Sequence, residues 1–193
     1  MFSESRKKKF AAFVFMFMPH IASIREKKCY TMNALNSTIK LISAATPEQF
    51  KTIRSLFTEY QQWLGVSLFF QGFDQELAAL PGKYSFPKGR LYIAVLDGKI
   101  AGCIALRPMD EEGICEMKRL FVREEFRGKG VGRILTERII ADARETGYRT
   151  MRLDTLQRME KARFLYSKLG FTVIPAYYNN PMDEVVYMEL VLR

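Results

Sequence analysis

Apolar residues recur along the chain with two different periods, and the change of period predicts helices and strands in turn. Spacings of three and four residues predict a first helix from Pro47 to about Gly65. Thr46 and Gln49 at its start match a capping box, in which each side chain satisfies a backbone N–H of the other residue. The same spacing predicts later helices over residues 73–80, 131–147 and 159–169.

Short apolar runs bounded by turn residues predict the strands. The dipeptide Asp97-Gly98 between two such runs is typical of a tight hairpin. The predicted strands cover residues 39–43, 90–96, 99–107, 114–122, 149–155, 171–174 and 184–192. Helices that interrupt a series of strands in this order predict an α/β fold with a mixed sheet.

The first 31 residues differ in composition from the rest of the chain. A basic cluster over residues 6–9 precedes an apolar run over residues 10–18, which is too short to cross a bilayer as a helix. The order resembles an export signal, but no small-residue cleavage site follows it. We therefore expect residues 1–31 to be an N-terminal extension, disordered or not native, and residues 32–193 to be a single domain. A cleaved segment or a membrane-surface anchor stays open, and stable membrane insertion is not expected.

The net charge of +9 narrows the choice of ligand once it is divided along the chain. Residues 1–31 carry seven Lys or Arg and two acidic residues, which leaves 23 and 19 for the remainder. A modest positive balance without a stripe of basic and aromatic residues favours an anionic small ligand over nucleic acid.

The cysteines and the single histidine argue against two kinds of chemistry. Cys29, Cys103 and Cys115 lack the spacing of metal ligands, and His20 lies in the N-terminal extension, so we expect no metal site. With no histidine in the expected domain, a Ser-His or Cys-His nucleophile would lack its base.

A glycine-rich turn joins the strand that ends at Val122 to the helix over residues 131–147. Glycines at positions 128, 130 and 132 allow close backbone approach to an anion, and the N–H groups at the helix start attract negative charge. The turn therefore predicts a phosphate-binding site, with added positive charge from Arg127, Lys129 and Arg133.

Two common phosphate-binding motifs fit this turn poorly. A Walker loop needs four residues between its glycines and a Lys-Ser or Lys-Thr pair, which are absent here. A dinucleotide fingerprint needs G-x-G-x-x-G, whereas the spacing here is G-x-G-x-G. Asp154 lies near the offset of the ribose-binding acid, so an oxidoreductase with a nucleotide cofactor is disfavoured rather than excluded.

The pattern Arg127-x-x-Gly130-x-Gly132 resembles the acetyl-CoA signature of the GNAT family of N-acetyltransferases. The segment 162–171, ARFLYSKLGF, is similar to a second segment of that family, A-x-x-L-Y-x-x-L-G-F. The resemblance covers Ile39 to Leu192, and the runs 116–120 and 153–156 are similar to a small bacterial-type branch. Two positions depart from the family pattern: Glu124 replaces a common proline, and Met159 replaces an asparagine that contacts CoA in relatives.

This resemblance implies a mostly antiparallel central sheet flanked by helices, in a cytoplasmic enzyme without a metal. It implies direct transfer of an acetyl group from acetyl-CoA to a primary amine of a small molecule or a protein. The implied ligand contacts are Leu120, Phe121, Val122, Arg127, Gly128, Lys129, Gly130, Val131, Gly132 and Arg133.

Three residues have implied catalytic roles. Strand alternation places Glu116 on one face with Lys118, Leu120 and Val122, where some family members carry a glutamate base. By resemblance the strand is distorted at Leu120, whose N–H would stabilise the oxyanion, and Tyr166 would donate a proton to the departing thiolate. A Glu116 paired with a neighbouring cation and a Tyr166 buried in the core stay open as structural alternatives.

The acceptor is expected to lie between residues 68–73 and 177–181, and Asp183 and Glu184 could face a cationic acceptor or only solvent. A non-catalytic acyl-CoA-binding or sensory module is the alternative function, and a homodimer stays open.

Overall fold

The computed structural model of this chain describes residues 29–34, 37–182 and 184–192. The four helices are α1 (Pro47–Leu64), α2 (Phe73–Ala79), α3 (Val131–Thr146) and α4 (Glu160–Lys168). The strands are β1 (Cys29–Ala34), β2 (Ser37–Ser43), β3 (Arg90–Leu96), β4 (Lys99–Pro108), β5 (Ile114–Val122), β6 (Thr150–Leu156), β7 (Thr172–Ile174) and β8 (Val185–Val191). Every helix and strand predicted from the sequence is confirmed.

The strands form one mixed sheet in the order β1-β2-β3-β4-β5-β6-β8-β7. Neighbouring strands are antiparallel except β5 and β6, which are parallel. The parallel pairing covers only residues 114–116 of β5 and 150–152 of β6. Beyond these residues the two strands are no longer paired, so the sheet is open at its centre.

Each face of the sheet carries two helices and its own hydrophobic core. Leu135 and Ile139 of α3 and Tyr166 of α4 pack with Leu106 and Met117 of the sheet. On the opposite face, the helices pack against β4. Ile53 and Phe57 of α1 and Phe73 of α2 share a core with Cys103 and Ala105 of that strand. The predicted α/β fold, a mostly antiparallel sheet flanked by helices, is confirmed.

Helix α1 begins and ends as its sequence predicts. The Thr46 side chain accepts a hydrogen bond from the Gln49 N–H, and the Gln49 side chain accepts one from the Thr46 N–H. Gly65 ends the helix in a left-handed conformation with φ of +68°, which glycine adopts without a steric cost. These caps fix the helix that covers the open centre of the sheet.

One strand was not predicted. Strand β1 pairs with β2 along its whole length, from Cys29 opposite Ile42 to Ala34 opposite Ser37. It lies on both sides of the boundary predicted at residue 32, which stays a prediction, and residues 1–28 lie outside the described part of the chain. Within the described residues, no helix is long and apolar enough to cross a membrane.

Candidate functional site

A β-bulge in β5 lies at the open centre of the sheet. Cys103 of β4 pairs with Phe121 and Ala105 pairs with Lys118, so two residues of β5 lie opposite Ile104 alone. One of the two, Arg119, has a φ of +58°. An extra residue takes its neighbours out of the ladder and bends the strand.

The bulge also changes which side chains share a face. Glu116 and Lys118 lie opposite Arg107 and Ala105, on the face that α1 and α2 cover. Leu120 and Val122 instead pack against the core beneath α3. The prediction that Glu116, Lys118, Leu120 and Val122 share one face is therefore wrong, because the extra residue shifts the alternation between Lys118 and Leu120.

The bulge also turns the Leu120 N–H away from β4. The Cys103 thiol donates a hydrogen bond to the Arg119 carbonyl oxygen, with 3.5 Å between sulfur and oxygen. The Leu120 N–H belongs to the same peptide group as that carbonyl, so it points in the opposite direction.

Val122 presents both of its main-chain groups to the opening between β5 and β6. The Arg123 N–H donates to the Ala101 carbonyl at 2.9 Å, so the Val122 carbonyl in the same peptide points away from β4. A Cβ added at Gly102 would lie 2.2 Å from the Phe121 carbonyl oxygen, so this carbonyl faces β4. The Val122 N–H belongs to the same peptide group and therefore also points away from β4. In this structure the Arg127 Nε donates to the Val122 carbonyl at 3.0 Å.

The glycine turn after β5 leads directly into α3. Gly128 and Gly130 have φ of +75° and +83°, a conformation that other residues rarely adopt. Gly130 is the N-cap of α3, and no side chain caps this end. The first N–H groups of a helix have no carbonyl partner within it, so this end can donate hydrogen bonds to an anion.

The three cations predicted around the turn have different surroundings. The Arg127 guanidinium lies over the Trp63 ring, with 4.4 Å between its central carbon Cζ and the ring centre. Arg133 forms an exposed ion pair with Glu137, and the Lys129 ammonium lies 5.5 Å from the centre of the Phe126 ring.

A cavity of about 720 Å³ fills the opening between β5 and β6. We call its part next to the turn the glycine limb, which is lined by Leu120, Phe121, Val122, Arg127, Gly128, Gly130, Val131, Gly132 and Arg133. Of the predicted ligand contacts, only Lys129 does not line the cavity. We call the part of the wall on the other side of Leu120 the ionic limb, formed by Gln71, Lys118, Arg119 and Asp154.

Of the three predicted catalytic residues, Leu120 and Tyr166 line the cavity and Glu116 does not. The Tyr166 ring packs against Phe171 with 5.8 Å between ring centres. Burial, with smaller contributions from Tyr60 and Asp154, raises the pKa of Tyr166, so the hydroxyl keeps its proton at neutral pH.

Glu116 is buried behind the ionic limb and holds three partners. Arg107 Nε and Nη2 both lie 2.7 Å from Glu116 Oε2, and the Tyr177 hydroxyl donates to Oε1 at 2.9 Å. Lys118 Nζ lies 3.6 Å from Oε1. Glu116 therefore meets the cavity only through Lys118, which lines it.

Of the ionic limb, sequence reasoning included only Gln71, within the segment 68–73, and missed the cavity positions of Lys118, Arg119 and Asp154, although Lys118 and Asp154 belong to runs that resemble the family. Lys118 Nζ donates to Asp154 Oδ1 at 2.8 Å across the opening. Burial raises the pKa of Asp154, but Lys118, with smaller contributions from Arg119 and Tyr178, more than offsets this effect, so the pKa is lowered overall. Arg119 forms a two-point ion pair with Glu76, at 2.9 and 2.6 Å.

The loops expected to bind an acceptor contribute only in part. Leu68 and Gln71 line the cavity, whereas Phe69 is 70% exposed. Tyr177 and Tyr178 do not line the cavity. The Tyr177 hydroxyl donates to Glu116, and the Tyr178 hydroxyl accepts from Gln71. Asp183 lies outside the described residues.

Known proteins are similar to this chain in both sequence and fold. The sequence model of the Acetyltransferase (GNAT) family matches residues 51–171. An uncharacterized N-acetyltransferase of Schizosaccharomyces pombe is 40% identical, over 80% of this chain and 95% of the relative. One of Dictyostelium discoideum is 33% identical, over 80% of this chain and 99% of the relative. The fold matches a GNAT-family acetyltransferase of Staphylococcus aureus with a TM-score of 0.67 and 19% identity, over 80% of this chain and 99% of that one.

Proposed function

The chain belongs to the acetyltransferase (GNAT) family and is an acyltransferase, and from that premise we propose that it transfers the acetyl group of acetyl-CoA to a primary amine of a small molecule or a protein. The observation that carries this proposal is the pair of main-chain groups of Val122, which face the cavity beside the uncapped start of α3. Together they can bind an amide-containing chain and the anion attached to it.

The residues of the glycine limb fit the parts of CoA in order. The N–H groups at the start of α3 would bind the pyrophosphate, whose charge the helix dipole and Arg133 favour. The Val122 N–H and carbonyl would pair with the pantetheine amides as a neighbouring strand would. For this pairing Arg127 Nε has to leave the Val122 carbonyl, and its guanidinium then becomes available to the phosphates.

The transfer step requires a neutral amine, an oxyanion donor and a proton for the thiolate. The amine nitrogen attacks the thioester carbonyl carbon, the C–N bond forms, and the C–S bond breaks with its electron pair on sulfur. The Leu120 N–H would stabilise the oxyanion, and Tyr166 would donate a proton to sulfur. The nitrogen loses one proton to a base, which leaves an amide and a free thiol.

Glu116 as that base stays a prediction. Its carboxylate is bound by Arg107 and Tyr177 and lies outside the cavity wall, so any proton from the amine would have to pass through Lys118 or water.

Calorimetric titration with acetyl-CoA, followed by a panel of amines with detection of free thiol, tests the proposal. We expect saturable binding and thiol release that depends on one class of amine. Binding without release from any amine would favour the alternative, a non-catalytic acyl-CoA-binding module. Failure to bind acetyl-CoA would contradict the proposal.

A further inference from the structure

Arg119 adopts a backbone conformation that its residue type disfavours. Its φ of +58° lies in the left-handed region, where the Cβ atom comes close to the following carbonyl oxygen. Among the described residues other than glycine, only Asp97 and Glu184 also have a positive φ, and both of them lie in turns. Arg119 instead lies within strand β5, so the surrounding structure has to hold it in this conformation.

The side chain of Arg119 is bound to helix α2. Its Nε and Nη2 atoms donate to the two carboxylate oxygens of Glu76 at 2.9 and 2.6 Å. The guanidinium carbon also lies 5.1 Å from the centre of the Phe73 ring, at the start of the same helix. Because a two-point bond fixes the orientation of the planar guanidinium, it restricts the movement of β5 at this residue.

Two further contacts hold the ion pair and the bulge in place. The Tyr84 hydroxyl donates to Glu76 Oε1 at 2.8 Å, and the Tyr84 ring packs edge-on against Phe57 of α1. The Arg119 carbonyl accepts the hydrogen bond from the Cys103 thiol. Arg119 is therefore held at its side chain by α2 and at its carbonyl by β4.

We propose that Glu76 is a positioning residue for acyl transfer, because through Arg119 it holds the bulge in the conformation that directs the Leu120 N–H towards the thioester. This N–H belongs to the peptide group that follows Arg119, so its direction depends on the backbone angles of Arg119. A donor that is fixed before the oxyanion forms stabilises it without reorganisation. The inference rests on the proposed function and adds to it a residue of α2 that does not line the cavity.

The test compares alanine with glycine at position 119 in chains that also carry Glu76→Gln. The double variants Glu76→Gln/Arg119→Ala and Glu76→Gln/Arg119→Gly both lack the ion pair, and neither leaves one of its charges buried and unpaired. They differ only in one Cβ atom, which disfavours a positive φ in alanine. If the ion pair acts by holding the backbone, glycine should restore part of what alanine loses.

We expect kcat of the alanine double variant to lie about tenfold below that of the glycine double variant. It is measured as thiol release from acetyl-CoA with the most active amine of the panel. The dissociation constant of CoA should stay within about twofold in both, because Phe121 and Val122 pair with β4 beyond the bulge.

Hydrogen exchange of the Leu120 N–H is measured by NMR in the full chain without ligand. We expect exchange to be at least about tenfold slower in the alanine double variant than in the wild type, because an N–H that turns back towards β4 gains a partner in the ladder. In the glycine double variant it should stay close to the wild-type rate.

Glu59→Gln is the matched control. Glu59 of α1 accepts two hydrogen bonds from Arg123 at 2.8 Å, so it also joins a helix to an arginine beside the cavity strand. Arg123 has a φ of −56°, which any residue can adopt, and so its backbone does not depend on this ion pair. Glu59→Gln should therefore change neither kcat nor the exchange of the Leu120 N–H.

Equal kcat or equal Leu120 exchange in the two double variants would overturn the positioning role, since a direct contact of the Arg119 side chain with the acceptor would be lost in both alike. If the alanine double variant does not fold, slow Leu120 exchange in the glycine double variant would overturn it, and exchange at the wild-type rate would support it. An inactive wild type would count against the proposed function, whereas the exchange comparison needs no ligand and still tests the role of Glu76.

Discussion

The two limbs of the cavity are built from different parts of the chain. The glycine limb comes from one stretch of chain, from Leu120 to Arg133. It offers mainly main-chain groups to a ligand, and three of its residues are glycines, which have no side chain. The ionic limb uses charged and amide side chains that come from three separate segments: Gln71, the adjacent residues Lys118 and Arg119 of β5, and Asp154 of β6. The main-chain groups of the glycine limb suit a ligand that a whole family shares. The ligand preference of the ionic limb can change by single substitutions, because it depends on side chains.

This difference predicts different kinds of sensitivity. Buried side-chain ion pairs lose much of their stabilisation when one partner is removed, because the other charge stays buried. Main-chain hydrogen bonds depend instead on backbone conformation, and so on the few residues that allow it.

The largest effect is expected where an ion pair supports the ionic limb. Glu76→Gln removes the partner of Arg119, whose side chain is 3% exposed. We expect a loss of about 3–5 kcal/mol in the free energy of unfolding, measured by denaturant titration. Burial raises the pKa of Glu76, but the hydrogen bonds and charge of Arg119, with smaller contributions from Tyr84 and Lys118, lower it overall. The stabilisation is therefore present above the ordinary glutamate pKa and is lost as pH falls below it, and the variant should lose this pH dependence.

An exposed ion pair beside the glycine limb is the control. Glu137→Gln removes the partner of Arg133, whose side chain is 69% exposed, and should not measurably change stability. Equal losses in the two variants would contradict the view that only the ionic limb depends on buried charge.

The next effect concerns Tyr166, which lines the cavity but belongs to neither limb. Tyr166→Phe removes the proposed proton donor, and we expect kcat to fall about 100-fold while the dissociation constant of CoA stays within about twofold. Tyr148 is a suitable control, since its hydroxyl donates to the Lys88 carbonyl and it lies outside the cavity wall. Tyr148→Phe should leave kcat unchanged, and an unchanged kcat in Tyr166→Phe would remove Tyr166 from the mechanism.

The contrast between the limbs also explains how far the sequence could be interpreted. All nine residues of the glycine limb were named from the sequence, because they are adjacent and their turn needs glycine, and their contact with a ligand stays a prediction. Glu116 was predicted on the wrong face because the bulge at Arg119 and Leu120, expected only by resemblance, shifts the alternation of side chains after it. Gln71 lies in the segment 68–73 that was expected to line the acceptor site, but no sequence pattern distinguished it from its neighbours there, because its place in the cavity wall depends on how this loop packs.

A backbone change should affect the glycine limb without touching a charge. Gly130→Val places a branched side chain at φ of +83°, which should distort the N–H groups at the start of α3. Loss of one charge-assisted hydrogen bond corresponds to roughly 30-fold weaker CoA binding, measured by calorimetry. Gly147, at the other end of α3, has φ of +88° and open space around it. Gly147→Val should cost similar stability and leave CoA affinity unchanged.

The smallest effect is expected from a side-chain charge beside the glycine limb. Arg133→Gln removes an exposed cation at the start of α3 that forms an ion pair with Glu137. We expect CoA binding to weaken by about threefold at low salt, and the difference to disappear near 0.5 M salt, where exposed charges are screened within a few ångströms. Arg144→Gln, at the exposed far end of the same helix, removes an equal charge and should change neither value. If Arg133→Gln instead weakened binding as much as Gly130→Val at all salt concentrations, the glycine limb would depend on side chains as the ionic limb does. The contrast between them would then lie in the sequence positions that supply the groups and not in the kind of group that binds.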